Sequence, residues 1–171
     1  VVTVFYSFSG NTRFVATQLE IELGAQPVPL SVARPRRGEA TETFAWRRQQ
    51  VRVPESPAVD PADRDAIDDA DLIIVGAPVW GGTIAPPVRA FLREREFFRR
   101  SFALYCCYSG RCGRGLHDLR DLLIGNEVIG ELSLRDPMND ERGVAEERIH
   151  SWANTLYEWF DRSNRREAAG E

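Results

Sequence analysis

VFYSFSGNT, Val4 to Thr12, is a short apolar run that passes straight into small polar residues at the head of an amphipathic stretch. A strand that enters a helix through Ser, Gly and Asn makes a phosphate-binding loop. The first N–H groups of a helix have no intrahelical partner, and the helix dipole favours an anion at that end. Ser7, Ser9, Asn11 and Thr12 offer side-chain donors, and Gly10 lets the chain turn tightly and approach a ligand closely. The loop holds no Lys or Arg and matches neither G-x-x-x-x-G-K-[ST] nor G-x-G-x-x-G, so a mononucleotide phosphate held mainly by neutral donors is expected. An ordinary strand-to-helix turn capped by Ser or Asn would carry the same residues, and the choice falls to the motifs further on.

Strands and helices alternate on either side of this loop, the pattern of a parallel sheet covered on both faces. Strand one is Val1 to Phe5. A helix over Thr12 to Leu23 places Val15, Leu19 and Leu23 on one side, and Pro27 to Val32 is a short second strand. Ala33 to Val59 loses periodicity and gathers Pro and Arg, as a long irregular insertion does. Asp60 to Asp69 reads as an acidic helix, and Leu72 to Gly76 as a central strand. Pro86 and Pro87 open the next helix, before Val88, Phe91 and Leu92. Ser101 to Tyr108 is the fourth strand, Leu116, Leu119 and Leu123 mark a helix, and Glu127 to Leu134 is the fifth strand. A last helix, Asn139 to Arg162, carries Ala145, Ile149, Trp152, Leu156 and Phe160 at helical spacing, so these aromatics read as core. Residues 163–171 read as a frayed polar tail beyond a single domain of residues 1–162. The expected fold is α/β, a doubly wound five-stranded parallel sheet with helices on both faces. Its ligand belongs at the carboxyl ends of the strands, where the loops leaving strands one, three and four meet.

Composition narrows the function classes. The 171 residues suit one core, with roughly 70% of the unfolded chain's surface buried on folding. A net charge of −4 gives no ground for a nucleic-acid partner, and no apolar run is long enough to span a membrane, so a soluble cytoplasmic protein is expected. All 22 basic residues are Arg, a compositional bias without bearing on chemistry. Three cysteines, Cys106, Cys107 and Cys112, are an odd number with two adjacent, and neighbours on a strand point to opposite faces. Neither a disulfide framework nor a metal site is expected; buried thiols are.

The loop after strand three, APVWGGT from Ala77 to Thr83, sets Trp80 between a Pro and two Gly. Trp80 can cover one face of a planar ring while Gly81 and Gly82 let backbone pass its edge or flip a peptide; as the alternative, Trp80 is a core anchor under the insertion. The loop after strand four, YSGRCGRG from Tyr108 to Gly115, spaces its glycines G-x-x-G-x-G and does not read as a second nucleotide site.

YSFSGNT, Tyr6 to Thr12, together with PVWGGTIAPP, Pro78 to Pro87, resembles the flavodoxin family. The likeness is to short flavodoxin-like proteins that combine Y-S-x-[ST]-G-N-T with P-V-W-x-G-x-x-A-P-P, and it extends from Val1 to about Phe160. It implies a flavodoxin-like sheet and one FMN per chain, with the phosphate on Ser7, Ser9, Gly10, Asn11 and Thr12. It further implies that Pro78, Trp80, Gly81 and Gly82, with Val79 among them, border the isoalloxazine, and that Ser109 and Gly110, following Tyr108, approach its pyrimidine edge. Related sequences often have a second Gly where this chain has Arg111. A guanidinium near N1 and O2 of the ring would stabilise the anionic reduced flavin; alternatively Arg111 points to solvent.

The resemblance leads first to an FMN protein that shuttles electrons to a redox partner protein, a role that needs no catalytic acid or base. The acidic stretch Asp60 to Asp71 would help steer that partner, or is a solvated helix face. The second expectation is an NAD(P)H-dependent quinone or nitro-compound reductase. In it Arg34, Arg36, Arg37, Arg47, Arg48 and Arg52 wall a second pocket and His117 donates a proton; the bland reading is a solvated loop and a structural His. A third expectation, of another class, is a flavin-binding regulatory module without turnover.

Overall fold

Nearly continuous apolar runs such as Leu72 to Ala77 and Phe102 to Cys107 dictate a sheet covered on both faces, and the computed structural model, which describes residues 1–32, 58–139 and 142–169, has one. The described elements run β1 (Val2–Phe5), α1 (Asn11–Leu23), β2 (Gln26–Pro29), α2 (Pro61–Asp68), β3 (Leu72–Trp80) and β4 (Thr83–Ile84). There follow α3 (Pro86–Glu94), β5 (Ser101–Tyr108), α4 (Gly115–Asp121), β6 (Glu127–Arg135) and α5 (Arg142–Ala169). The order across the sheet is β2-β1-β3-β5-β6, all parallel, with β4 antiparallel to β3. This is the doubly wound order in which the chain reverses direction across the sheet between β1 and β3.

Each face has its own core. Ile73, Val75 and Ala77 of β3, with Phe102 and Leu104 of β5, pack against Ile67 of α2, Val88 and Phe91 of α3 and Leu119 of α4. Leu72 and Ile74, with Ala103, Tyr105 and Cys107, pack on the other face against Val15 and Leu19 of α1 and Ile149, Trp152 and Leu156 of α5. A bulge at Ile129 lets Phe102 pair with Val128 and Ala103 with Gly130. It resets the parity of β6, so that Leu132 and Leu134 face α5. β2 is an edge strand, which is why it tolerates Pro27 and Pro29, residues with no N–H to give to a second neighbour.

Three boundaries differ from the sequence reading. β3 runs through Trp80 instead of ending at Gly76, because Ala77 and Pro78 pair with Cys106 and Cys107 while Val79 and Trp80 pair back onto Ile84 and Thr83. The last helix does not stop at Arg162. Its Arg- and Ala-rich end favours helix, and Asp161 accepts from Arg165 Nη2 at 2.7 Å across one turn. β2 ends at Pro29; Ser31 forms an antiparallel bridge to Ala58 instead, and residues 33–57 of the insertion lie outside the described residues.

Candidate functional site

The carboxyl ends of β1, β3, β5 and β6 open into one cleft of about 910 Å³, within the range of small-molecule and cofactor sites. It is lined at one end by Phe8, Ser9 and Asn11, and along its sides by residues 78–83 and by Cys107 to Arg111 with Gly113. Asp136 and Asn139 complete it. The structure thus brings Ser9, Asn11, Pro78, Val79, Trp80, Gly81, Gly82, Tyr108, Ser109, Gly110 and Arg111 together, whereas Ser7, Gly10 and Thr12 stand behind the lining.

Those three residues shape the first loop from below. Ser7 Oγ accepts the N–H of Arg13 at 3.2 Å, and the Gly10 carbonyl accepts that of Phe14 at 2.8 Å. The N–H groups of Asn11 and Thr12 belong to the open first turn of α1. Gly10 takes φ +107, a conformation that L side chains rarely adopt, and a Cβ there would stand 3.0 Å from the Met138 sulfur. Thr12 is buried. Its side chain hydrogen-bonds the Cys107 thiol, and its carbonyl accepts from Tyr105 Oη at 2.9 Å.

The second wall is a hairpin. Trp80 pairs with Thr83 across Gly81 and Gly82, whose φ of +61 and +83 are the pair that a type I′ turn requires. Trp80 is half-buried and makes edge contacts with Tyr6 and Phe8, ring centroids 5.9 and 5.8 Å away, so it is one part of an aromatic wall. The hairpin is pinned from outside the cleft: Thr83 Oγ1 donates to Asp118, and Arg89 Nη2 donates to Thr83 Oγ1 at 2.6 Å and to Asp118 Oδ2 at 3.1 Å. Burial pushes the Asp118 carboxyl up. The Thr83 hydrogen bond, the Arg89 charge and the remaining hydrogen bonds outweigh that and leave it below the usual carboxylate range.

The third loop leans on the second. Arg114 N–H donates to the Gly82 carbonyl at 2.7 Å, and Gly113 lies so close to Gly82 that a Cβ would meet its oxygen at 2.4 Å. This holds the Gly82–Thr83 peptide and leaves the Gly81–Gly82 peptide as the one in the turn that can flip. Arg111 is exposed at the mouth; it and Asp136 are the charged residues among the described lining. Burial pushes the Cys107 thiol up to about 12.

Phe8, Thr83, Cys107, Gly113, Asp136 and Asn139 escaped the sequence reading as site residues. Phe8 was visible inside the loop motif, but Asp136 and Asn139 belong to the turn after β6, tied across the sheet when Asn11 Nδ2 donates to Asp136 Oδ1 and Met138 N–H donates to Asn11 Oδ1, both at 3.2 Å. His117 is not in the cleft; it sits on the outer side of α4, 2.9 Å from Asp121. Asp63 and Asp68 of the acidic stretch lie toward the amino ends of the strands, where they accept from Gln26 and Arg95. The Arg residues of the insertion lie outside the described residues. No helix among the described residues is long and apolar enough to cross a membrane.

No protein-family model and no curated relative matches this chain. Solved structures do. A flavoprotein in complex with FMN from Lactobacillus acidophilus superposes with a TM-score of 0.64 at 20% identity, over 89% of this chain and 97% of the other. Flavodoxin 2 from Bacillus cereus gives 0.60 at 17% identity, over 92% and 97%. The flavodoxin of Fusobacterium nucleatum bound to flavin mononucleotide gives 0.58 at 15%, over 92% and 96%. At these identities the likeness is one of fold: the chain has the flavodoxin-like fold.

Proposed function

We propose that the cleft binds one FMN and that this chain carries electrons through it. One observation carries the reading: the open first turn of α1, the glycine hairpin beside Trp80 and the loop from Tyr108 to Gly113 border a single cleft. The residues present fit the group. A phosphate fits at Ser9, Asn11 and the N–H groups that open α1, with Ser7 and Thr12 bracing that loop from behind. A planar ring fits against the aromatic wall of Trp80 and Phe8, where glycine at positions 81 and 82 keeps side chains off its edge. The fold neighbours with bound FMN support the same cofactor.

FMN, when bound, supplies transfer of one or two electrons; the chain's residues bind it, orient it and limit water around it. The Gly81 carbonyl lies in the one peptide of the turn free to rotate, and can present an acceptor to a ring N–H. Arg111 brings positive charge to the cleft mouth. A carrier is the reading preferred over a reductase because His117, the proton donor that a reductase would use, lies outside the cleft against Asp121.

Titration of the protein with FMN, followed by flavin absorbance and fluorescence, tests the binding. Ser9→Ala, an exposed position, should raise Kd about tenfold or more through loss of a hydrogen bond to a charged group, without loss of folding. An unaltered Kd would remove the loop from the site. Anaerobic photoreduction then separates the functions: accumulation of a one-electron-reduced form supports the carrier, and direct passage to the two-electron form points to an NAD(P)H-dependent reductase.

A further inference from the structure

Strand alternation sends Cys106 and Cys107 to opposite faces, and the consequence for each sulfur is different. Cys107 faces Thr12 and the α1 side of the sheet. Cys106, fully buried, faces α4, and its sulfur lies 3.2 Å from that of Cys112, a half-buried residue in the loop between β5 and α4. No bond joins them; both are thiols. Closing the gap between the sulfurs by about 1 Å would bring the pair to the bonded separation of ~2.05 Å. The residues enclosed between the two sulfurs include Tyr108, Ser109, Gly110 and Arg111, all of which line the cleft.

We propose that Cys106 and Cys112 are a redox-active dithiol, a modification site for hydroperoxides, whose closure to a disulfide resets the loop bordering the cofactor. Burial, then the hydrogen bond to Cys112, pushes the Cys106 thiol far up and keeps it protonated, while Cys112 is the more exposed residue of the pair. The Cys112 thiolate attacks the terminal oxygen of the hydroperoxide. The O–O bond breaks, an S–O bond forms, and the alkoxide leaves and takes up a proton as the alcohol. The Cys106 sulfur then attacks that of the Cys112 sulfenic acid, the S–O bond breaks, and hydroxide leaves with the Cys106 proton as water. Two thiols are oxidised by two electrons and one hydroperoxide is reduced to alcohol and water. An external dithiol reverses the reaction. Cys107 cannot substitute, because the sheet stands between it and Cys112.

Formation of the disulfide is independent of the FMN reading; the effect on the cleft rests on it. The test treats the full chain with hydrogen peroxide and counts free thiols and intact mass. Loss of two thiols per chain with a mass lower by two hydrogens, in a monomeric species, is expected for the parent and for Cys107→Ala, and is abolished in Cys112→Ser. If Cys107→Ala does not fold, tandem mass spectrometry of the joined peptide assigns the sulfur. Overoxidation of Cys112 alone, or a bond between two chains, overturns the dithiol. In the oxidised parent the FMN Kd should change by about threefold or more relative to the reduced protein, and dithiothreitol should restore it. An unaltered Kd overturns the control of the cleft and leaves the disulfide standing. Failure of either form to bind FMN counts against the FMN reading alone.

Discussion

Gly113→Ala tests whether the two glycine turns of the cleft form one packed unit. Gly113 takes φ +54, and a Cβ there would stand 2.4 Å from the oxygen and 2.6 Å from the Cα of Gly82, backbone that no change of rotamer moves aside. Three costs combine. Holding Ala in the left-handed region costs about 1–2 kcal/mol. Forcing the two turns apart is an overpacking cost of about 1–3 kcal/mol. The neighbouring bond from Arg114 N–H to the Gly82 carbonyl, 2.7 Å long, is lost at about 1 kcal/mol. The sum is about 3–6 kcal/mol. Gly81→Ala is the control, since its φ of +61 carries the first cost while nothing lies within 4 Å of its Cβ. The two variants should differ by about 2–4 kcal/mol. Urea unfolding without flavin, followed by far-ultraviolet circular dichroism, reads this directly: at a slope of ~2 kcal/mol/M, Gly113→Ala should unfold about 1–2 M earlier than Gly81→Ala. Equal midpoints would show that the two turns are not in contact and that the third loop is free of the second.

Tyr105→Phe removes the buried bond to the Thr12 carbonyl under the first loop and should lower stability by about 1 kcal/mol in the same unfolding assay; no change would detach Tyr105 from the loop. Asp118 is an acid whose folded pKa lies below its unfolded value of ~3.9, so its contribution is present above about pH 4 and is lost as the pH falls through the folded pKa. Asp118→Asn should cost about 1–3 kcal/mol at neutral pH and flatten the fall in stability between neutral and acid pH, a loss of slope that a purely packing role would not produce. In Gly82→Ala, φ +83 is strained by about 1–2 kcal/mol, and a flip of the Gly81–Gly82 peptide relieves it by turning type I′ into type II′ with negative φ at position 82. With FMN bound, photoreduction of this variant should pass through a different amount of the one-electron-reduced form than the parent; an identical course would exclude the turn from control of the flavin.

Much of this molecule is local and therefore legible in one dimension. The apolar run at Leu72, the proline pair opening a helix at Pro86 and the strand Ser101–Tyr108 depend on periodicity and on backbone rules that act within a few residues. The loop Ser7–Thr12 is likewise a strand-to-helix turn, and its polar residues announce it. Where the sequence reading stopped β3 at Gly76, the decisive contacts came from β5, whose register carries pairing on to Pro78. Trp80 illustrates the same limit: its type and glycine neighbours pointed to a ring-facing wall, but its place between Tyr6 and Phe8 follows from how β1 lies beside β3.

By itself, the order of residues determined the alternation of strands and helices, the two buried faces and the kind of loop that heads α1, because each follows from side-chain period, glycine and proline. Only the tertiary structure decided that Asp136 reaches Asn11 from 125 residues away, that Gly113 closes on Gly82, and that Cys106 meets Cys112 while Cys107 turns to Thr12. Those meetings depend on strand order and register, which are set by the packing of the whole sheet, and no short stretch of chain contains them.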